Sequence, residues 1–279
     1  MRSRTLMRLV WAVAVVLVVA SSALALPRID IGKVKKARDT LKEVKRLLPI
    51  STEEEIAIGK RVAARLQETY GVYKNREVEQ YVALVGTAVS WRSTRRDVEY
   101  IFSILDTEEV NAYAAPGGFI LISRGLLSRM QSEAELATIL GHEIWHVEAR
   151  HEMKRVQQAQ IAGTLVSKAL SAMTGEEIDQ VADLCLEVLQ KGRSKEVELE
   201  TDVQGARLAS EVGYAPRALL VLLSRLGGAS SESALKQLMS THPKTTERIG
   251  VLQKKYGSDL SGSLVENRFM VQIQPLHKS

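Results

Sequence analysis

Residues 131–151 read QSEAELATILGHEIWHVEARH, and the fold turns on how they are read. Ser132 followed by Glu135 has the form of a capping box, in which hydroxyl and carboxylate each satisfy an otherwise unpaired backbone N–H at a helix start. Leu136, Ile139 and Leu140 then recur at helical spacing and run without a breaker into His142-Glu143-Ile144-Trp145-His146. The five-residue string therefore lies inside a helix. There His142 and His146, four apart, project from one face and can hold one zinc ion. Glu143 is the next residue round and can approach a water on that ion without ligating it.

A catalytic zinc usually takes three protein ligands, so the string alone is incomplete. Glu198 and Asp202 stand four apart in Ser194–Val212, a stretch that reads as a helix stopped by Gly213 with Pro216 beyond. Glu196 and Glu200 compete with Glu198, and composition leaves the choice open. His151, nine residues past His142, falls about 180° round an ideal helix and reads as a structural residue bonded to a neighbouring helix. His277 reads as a tail residue.

Outward from this centre the pattern is mostly helical. Helices are expected over Ile29–Leu48, from a cap at Ser51 to about Tyr70, and over Arg76–Trp91. Three short strands follow, Val98–Leu105, Val110–Ala114 and Phe119–Ile122, with turn signals between them. After a helix at Arg124–Met130 and the HExxH helix, a helical region reaches Lys191, interrupted at Ser171–Gly175, with Lys168–Gln180 read as a mobile hairpin. Helices near Pro216–Leu226, Ser231–Met239 and Lys244–Tyr256 complete the core, and Asn267–Ile273 alternates enough for an edge strand. The fold class is α+β: mainly helical, with a small antiparallel or mixed sheet. The layout is 1–25 a leader, 26–265 the main domain and 266–279 a C-terminal strand and tail.

The leader reading rests on Arg2, Arg4 and Arg8, an apolar run from Leu9 to Ala20 and the small-x-small triplet Ala23-Leu24-Ala25. It implies a secretory signal peptide cleaved near Ala25 and a periplasmic or secreted domain; the alternative is an N-terminal membrane anchor. Without those three arginines, 35 basic residues face 33 acidic ones, a balance that gives no reason to expect a nucleic-acid partner. Lys33–Arg46 keeps basic residues opposite an apolar stripe and reads as an ordinary solvated helix face, with an anionic membrane surface as the alternative. A single cysteine, Cys185, rules out an intrachain disulfide; its apolar helical setting reads as a structural thiol.

Asn111-Ala112-Tyr113-Ala114-Ala115-Pro116-Gly117-Gly118, then Gly125-Leu126-Leu127, then Gly141 to His151, resemble the HtpX/BepA family of zinc peptidases, relatives of the CAAX prenyl proteases. The resemblance implies a zincin-like fold of gluzincin type with one Zn(2+) per chain. It places the third ligand at Glu198 and a supporting carboxylate, hydrogen-bonded to a ligating imidazole, at Asp202. It brings Thr241-His242-Pro243 to the metal, where His242 would cap the open position or, with Arg248, stabilise an oxyanion. Polypeptide substrates, unfolded outer-membrane proteins among them, would pair along a strand edge at Phe119–Ile122 and be hydrolysed in protein quality control. A second reading is an envelope chaperone or interaction factor whose His-capped zinc site is latent. Two residues depart from the pattern: Trp145 where the family has a small residue, and Thr201 where it has Ala.

Overall fold

Polar caps set the helix ends in the computed structural model, which describes residues 50–161, 174–227, 242 and 245–277. Helix α1 (Thr52–Tyr70) opens on a reciprocal capping box between Ser51 and Glu54 and closes at Gly71; α2 (Arg76–Ser90) opens on the Asn75 side chain. Strands β1 (Ile101–Leu105), β2 (Ala112–Ala115) and β3 (Phe119–Ser123) follow. Then come α3 (Arg124–Leu127), α4 (Glu133–Glu148), α5 (His151–Ile161), α6 (Gly175–Gln190), α7 (Lys195–Ser210), α8 (Ala218–Leu226), α9 (Thr245–Tyr256) and α10 (Glu266–Gln272). The α+β expectation holds, and the sheet is mixed: β1 runs parallel and β2 antiparallel to β3.

Because alternate residues of a strand face opposite sides, the sheet divides the core. Ile104, Ala112, Ile120 and Ile122 face the larger cluster with α2, α4, α8 and α10. Leu105, Tyr113, Ala115 and Leu121 face a second cluster built with α1, α5 and α6, which also buries Cys185 as expected. The β2–β3 turn must be tight. Gly117 and Gly118 take φ of 71° and 103°, and a Cβ on Gly117 would stand 2.5 Å from the Ile56 Cα. Only glycine fits that turn beneath α1.

Helix α4 is buried on almost every side and crosses α7 backbone to backbone. A Cβ on Gly141 would meet the Gly205 carbonyl oxygen at 2.5 Å, and one on Gly205 would meet the His142 nitrogen at 2.5 Å. Gly205 lies seven residues after Glu198, so the carboxylate and the contact share one face of α7.

Three expectations are corrected. Residues 266–272 are helical, because Phe269 and Ile273 are spaced to bury one helix face while Met270 and Val271 point outward. What read as strand alternation is a helical stripe. Strand β3 is central, in the order β1-β3-β2, so Phe119–Ile122 is no free edge; β2 is the outer strand beside α4. Sheet order depends on long-range pairing that local pattern does not encode. Residues 175–180 belong to α6, which Thr174 and Glu177 cap reciprocally; the rest of the expected hairpin lies outside the described residues. So do the leader, the Ile29–Leu48 and Ser231–Met239 helices and the Lys33–Arg46 stripe. No helix among the described residues is long and apolar enough to cross a membrane.

The crossing yields a paired test by urea unfolding of the metal-free chain. Gly205→Ala is expected to cost about 1–3 kcal/mol through overpacking. Gly250→Ala, where a Cβ meets nothing within 4 Å on an exposed turn of α9, should stabilise by about 0.5–1 kcal/mol through helix propensity. Shifts of the same sign would contradict so close a crossing.

Candidate metal centre

Ser132 starts α4 by accepting the Glu135 N–H, and the helix carries His142 and His146 into the protein interior, each about 1% exposed. Their Nε2 atoms converge to 3.1 Å. From α7, Glu198 brings Oε2 to 3.5 Å from His142 Nε2 and Oε1 to 3.6 Å from His146 Nε2. The three glutamates differ in burial: Glu198 is fully buried, whereas Glu196 and Glu200 are exposed. His242 places Nδ1 at 2.8 Å from Glu198 Oε2 and 3.4 Å from His142 Nε2, so four donors lie within 4.8 Å of one another.

The donor set fits zinc. Separations of 3.1, 3.5 and 3.6 Å approximate the ~3.4 Å edges of a tetrahedron whose ligands stand ~2.1 Å from its centre. Glu198 Oε1 is buried without a hydrogen-bond partner from the protein, which suits a ligand atom better than a structural carboxylate. Glu143 sits alongside, with Oε1 3.8 Å from His242 Nε2 and Oε2 buried and unpaired.

Two layers of side chains hold this group. Asp202 Oδ1 lies 3.0 Å from His142 Nδ1 and is itself gripped by Arg248, whose Nε and Nη2 each donate at 2.7 Å. Arg248 Nη1 is 3.7 Å from Glu198 Oε2. On the other side His146 Nδ1 meets His151 Nδ1 at 2.8 Å. Arg193, just before α7, donates from Nε to Glu152 at 2.7 Å and brings Nη1 to 3.8 Å from Glu198 Oε1. Trp145 packs on the main core, with the Arg207 guanidinium 5.9 Å from its ring centroid. The Thr201 hydroxyl donates to the Val197 carbonyl and leaves both carboxylates undisturbed.

His151 lies outside the four-donor cluster and bonds to a neighbouring helix, as read from the sequence, but the ideal-helix angle behind that reading does not hold. The helix breaks after α4: Arg150 adopts φ 54°, and α5 begins anew, which turns His151 back onto His146. A positive φ at an arginine has no local signature. Arg193 and Glu152 went unrecognised as neighbours of the site; the only hint is that Arg193 precedes the Ser194 cap of the Glu198 helix. His277, expected to be a tail residue, lies exposed in a short turn at the C-terminal end of the described chain.

Charge is unevenly shared among the donors. Burial depresses the His142 imidazolium, but the Asp202 and Glu198 carboxylates more than offset it and raise its pKa to about 9. Burial, followed by the Arg193 and His142 charges, holds His146 well below the ordinary histidine range. Burial opposes ionisation of Glu198, yet His242 and His142 keep its pKa well below the usual carboxylate value. The metal-free site thus carries a proton on His142 that a metal must displace. Metal affinity should therefore rise from pH 7 to about 9 and level off above it. About one proton should be released per ion bound at pH 7. Calorimetry in buffers of different ionisation enthalpy measures this; no proton release would contradict the arrangement.

The sequence pattern of Peptidase family M48 matches residues 74–256. The chain is 31% identical to the mitochondrial metalloendopeptidase OMA1 of Arabidopsis thaliana over 143 residues, 51% of this chain and 29% of that protein. To the protein of the same name in Schizosaccharomyces pombe it is 25% identical over 188 residues, 66% of this chain and 52% of the relative. To the beta-barrel assembly-enhancing protease of Escherichia coli it is 23% identical over 210 residues, 72% of this chain and 43% of the relative. The matches thus span about half or less of each relative's length. Relatives of two kinds match, so the similarity holds at the level of the family and does not single out the HtpX/BepA branch. The matched residues contain both metal-facing helices, α4 and α7, and His242; the chain belongs to Peptidase family M48.

Proposed function

We propose that the protein is a zinc-dependent endopeptidase, with one zinc per chain, that cleaves unfolded or misfolded polypeptides of the cell envelope, including unfolded outer-membrane proteins. The observation that carries the reading is the convergence of His142 Nε2, His146 Nε2 and the Glu198 carboxylate beside the unpaired Glu143 oxygen. A zinc ion held by those three residues would supply Lewis-acid polarisation of the scissile carbonyl and would lower the pKa of water. Glu143 Oε2 takes a proton from the attacking water and delivers one to the leaving amine. Asp202 keeps the His142 proton on Nδ1, so the Nε2 lone pair points inward. Arg248 commits two N–H groups to Asp202. We therefore assign it to holding that carboxylate in place of the oxyanion contact expected from sequence.

His242 caps the site at rest. Its Nδ1 belongs to the four-donor cluster, so a substrate carbonyl approaching the metal-binding position would have to displace it. The same cap favours the alternative of an envelope chaperone or interaction factor with a latent zinc site. Strand β2 is outermost in the sheet and packs beside α4, but all four of its residues are buried, so an extended substrate would pair along it only once that edge is uncovered. The relatives named as a metalloendopeptidase and as a beta-barrel assembly-enhancing protease support this substrate class. A leader over residues 1–25 fits a periplasmic or secreted setting, and the basic Lys33–Arg46 stretch would favour contact with a membrane surface.

Glu143→Gln is expected to retain zinc and to lower hydrolysis of a urea-unfolded outer-membrane protein by about 10²-fold or more. Undiminished cleavage would remove Glu143 from its role. His242→Ala should leave zinc stoichiometry at one per chain and raise kcat/KM about tenfold, by abolishing the capped population. A fall in kcat/KM would instead make His242 a participant in the reaction.

A further inference from the structure

We propose that His151 is a positioning residue that fixes the tautomer of His146, doing on one metal-facing imidazole what Asp202 does on the other. The inference rests on the reading of His142, His146 and Glu198 as zinc ligands. His146 Nδ1 and His151 Nδ1 are 2.8 Å apart and largely shielded from water. At that separation one nitrogen carries the proton and the other a lone pair. His146 Nε2 faces His142 Nε2 and Glu198 Oε1, so it needs its lone pair to bind a metal. The proton then belongs on His146 Nδ1. His151 Nδ1 accepts it, and the His151 ring carries its own proton on Nε2.

The fold holds this contact against a backbone penalty. On a continuous helix His151 would point away from His146; the turn at Arg150, with φ of 54°, brings it back. That conformation is unfavourable for a residue with a side chain. It persists because the Arg150 guanidinium is tied down, with Nη2 2.8 Å from the buried Glu55 Oε2 and 2.7 Å from the Ile50 carbonyl oxygen. Glu55 also binds Arg95 and the Gly117 N–H, which joins the anchor to the tight turn of the sheet. Thus α1, the β2–β3 turn and the helix break together set the direction of one imidazole. His142 faces an anion where His146 faces a neutral ring, so the two prospective ligands differ in basicity.

The test uses the full chain, its His151→Leu and His151→Asn variants, and zinc as the probe in competition with a chromophoric chelator. Leucine removes the acceptor. Asparagine returns an oxygen near the Nδ1 position. Zinc affinity should fall about 10- to 100-fold in His151→Leu and stay within a few-fold of the parent in His151→Asn. In the metal-free parent, ¹⁵N-histidine correlation spectra should place the His146 proton on Nδ1 and the His151 proton on Nε2, leaving His151 Nδ1 as the acceptor. Parent-like affinity in the leucine variant, or equal losses in both variants, overturns the proposal. Should His151→Leu fail to fold, the parent spectrum decides: a His146 proton on Nε2 overturns it. A parent chain that binds no zinc would instead remove the ligand reading itself.

Discussion

The contact between Gly141 and Gly205 brings two helix backbones within the distance that any side chain would hold open. Everything in the candidate centre depends on it. His142 follows Gly141 directly, and Glu198 and Asp202 sit seven and three residues before Gly205, so the crossing sets how far the carboxylates stand from the imidazoles. Ligand edges of 3.1 to 3.6 Å leave little tolerance. Displacing α7 by even an ångström would leave a pair of histidines beside a distant carboxylate, too open for a small ion.

Close approach also concentrates charge. Glu143, Glu198, Asp202 and Glu152 are all buried around the same point, and an isolated buried carboxylate is costly. Arg248 and Arg193 compensate from opposite sides, each fully enclosed and each bonded to one carboxylate while lying within 4 Å of Glu198. Such networks contribute little to net stability compared with apolar packing, but removing one member strands the others. Their value here lies in direction. Asp202 stands 3.0 Å from His142 and His151 2.8 Å from His146, while Arg248 keeps Asp202 ionised and Arg193 grips Glu152.

Much of this was legible in the chain, for identifiable reasons. The HExxH helix could be read because its cap, apolar period and ligand spacing are all local. The strands could be read for the same reason, within a few residues. Glu198 was different: among three nearby glutamates the residue pattern offered no choice, and the family resemblance supplied it, with burial agreeing. The angle of His151, though not its bonding to a neighbouring helix, was misjudged because an ideal helix was extended through Arg150, whose guanidinium is held by Glu55, a partner nearly a hundred residues earlier. The order of the strands and the helical nature of residues 266–272 escaped for a related reason. Both are decided by what packs against them, Phe269 being buried by α2 and α4 in the finished fold.

The central claim is that two imidazoles and one carboxylate of this chain hold a single zinc ion, and X-ray absorption at the zinc edge of the zinc-loaded full chain tests it most directly. The account predicts one zinc per chain in a shell of nitrogen and oxygen atoms at about 2.0–2.1 Å, with the outer-shell scattering of at least two histidine rings. A six-oxygen shell without imidazole scattering, or a sulfur neighbour from Cys185, would contradict it.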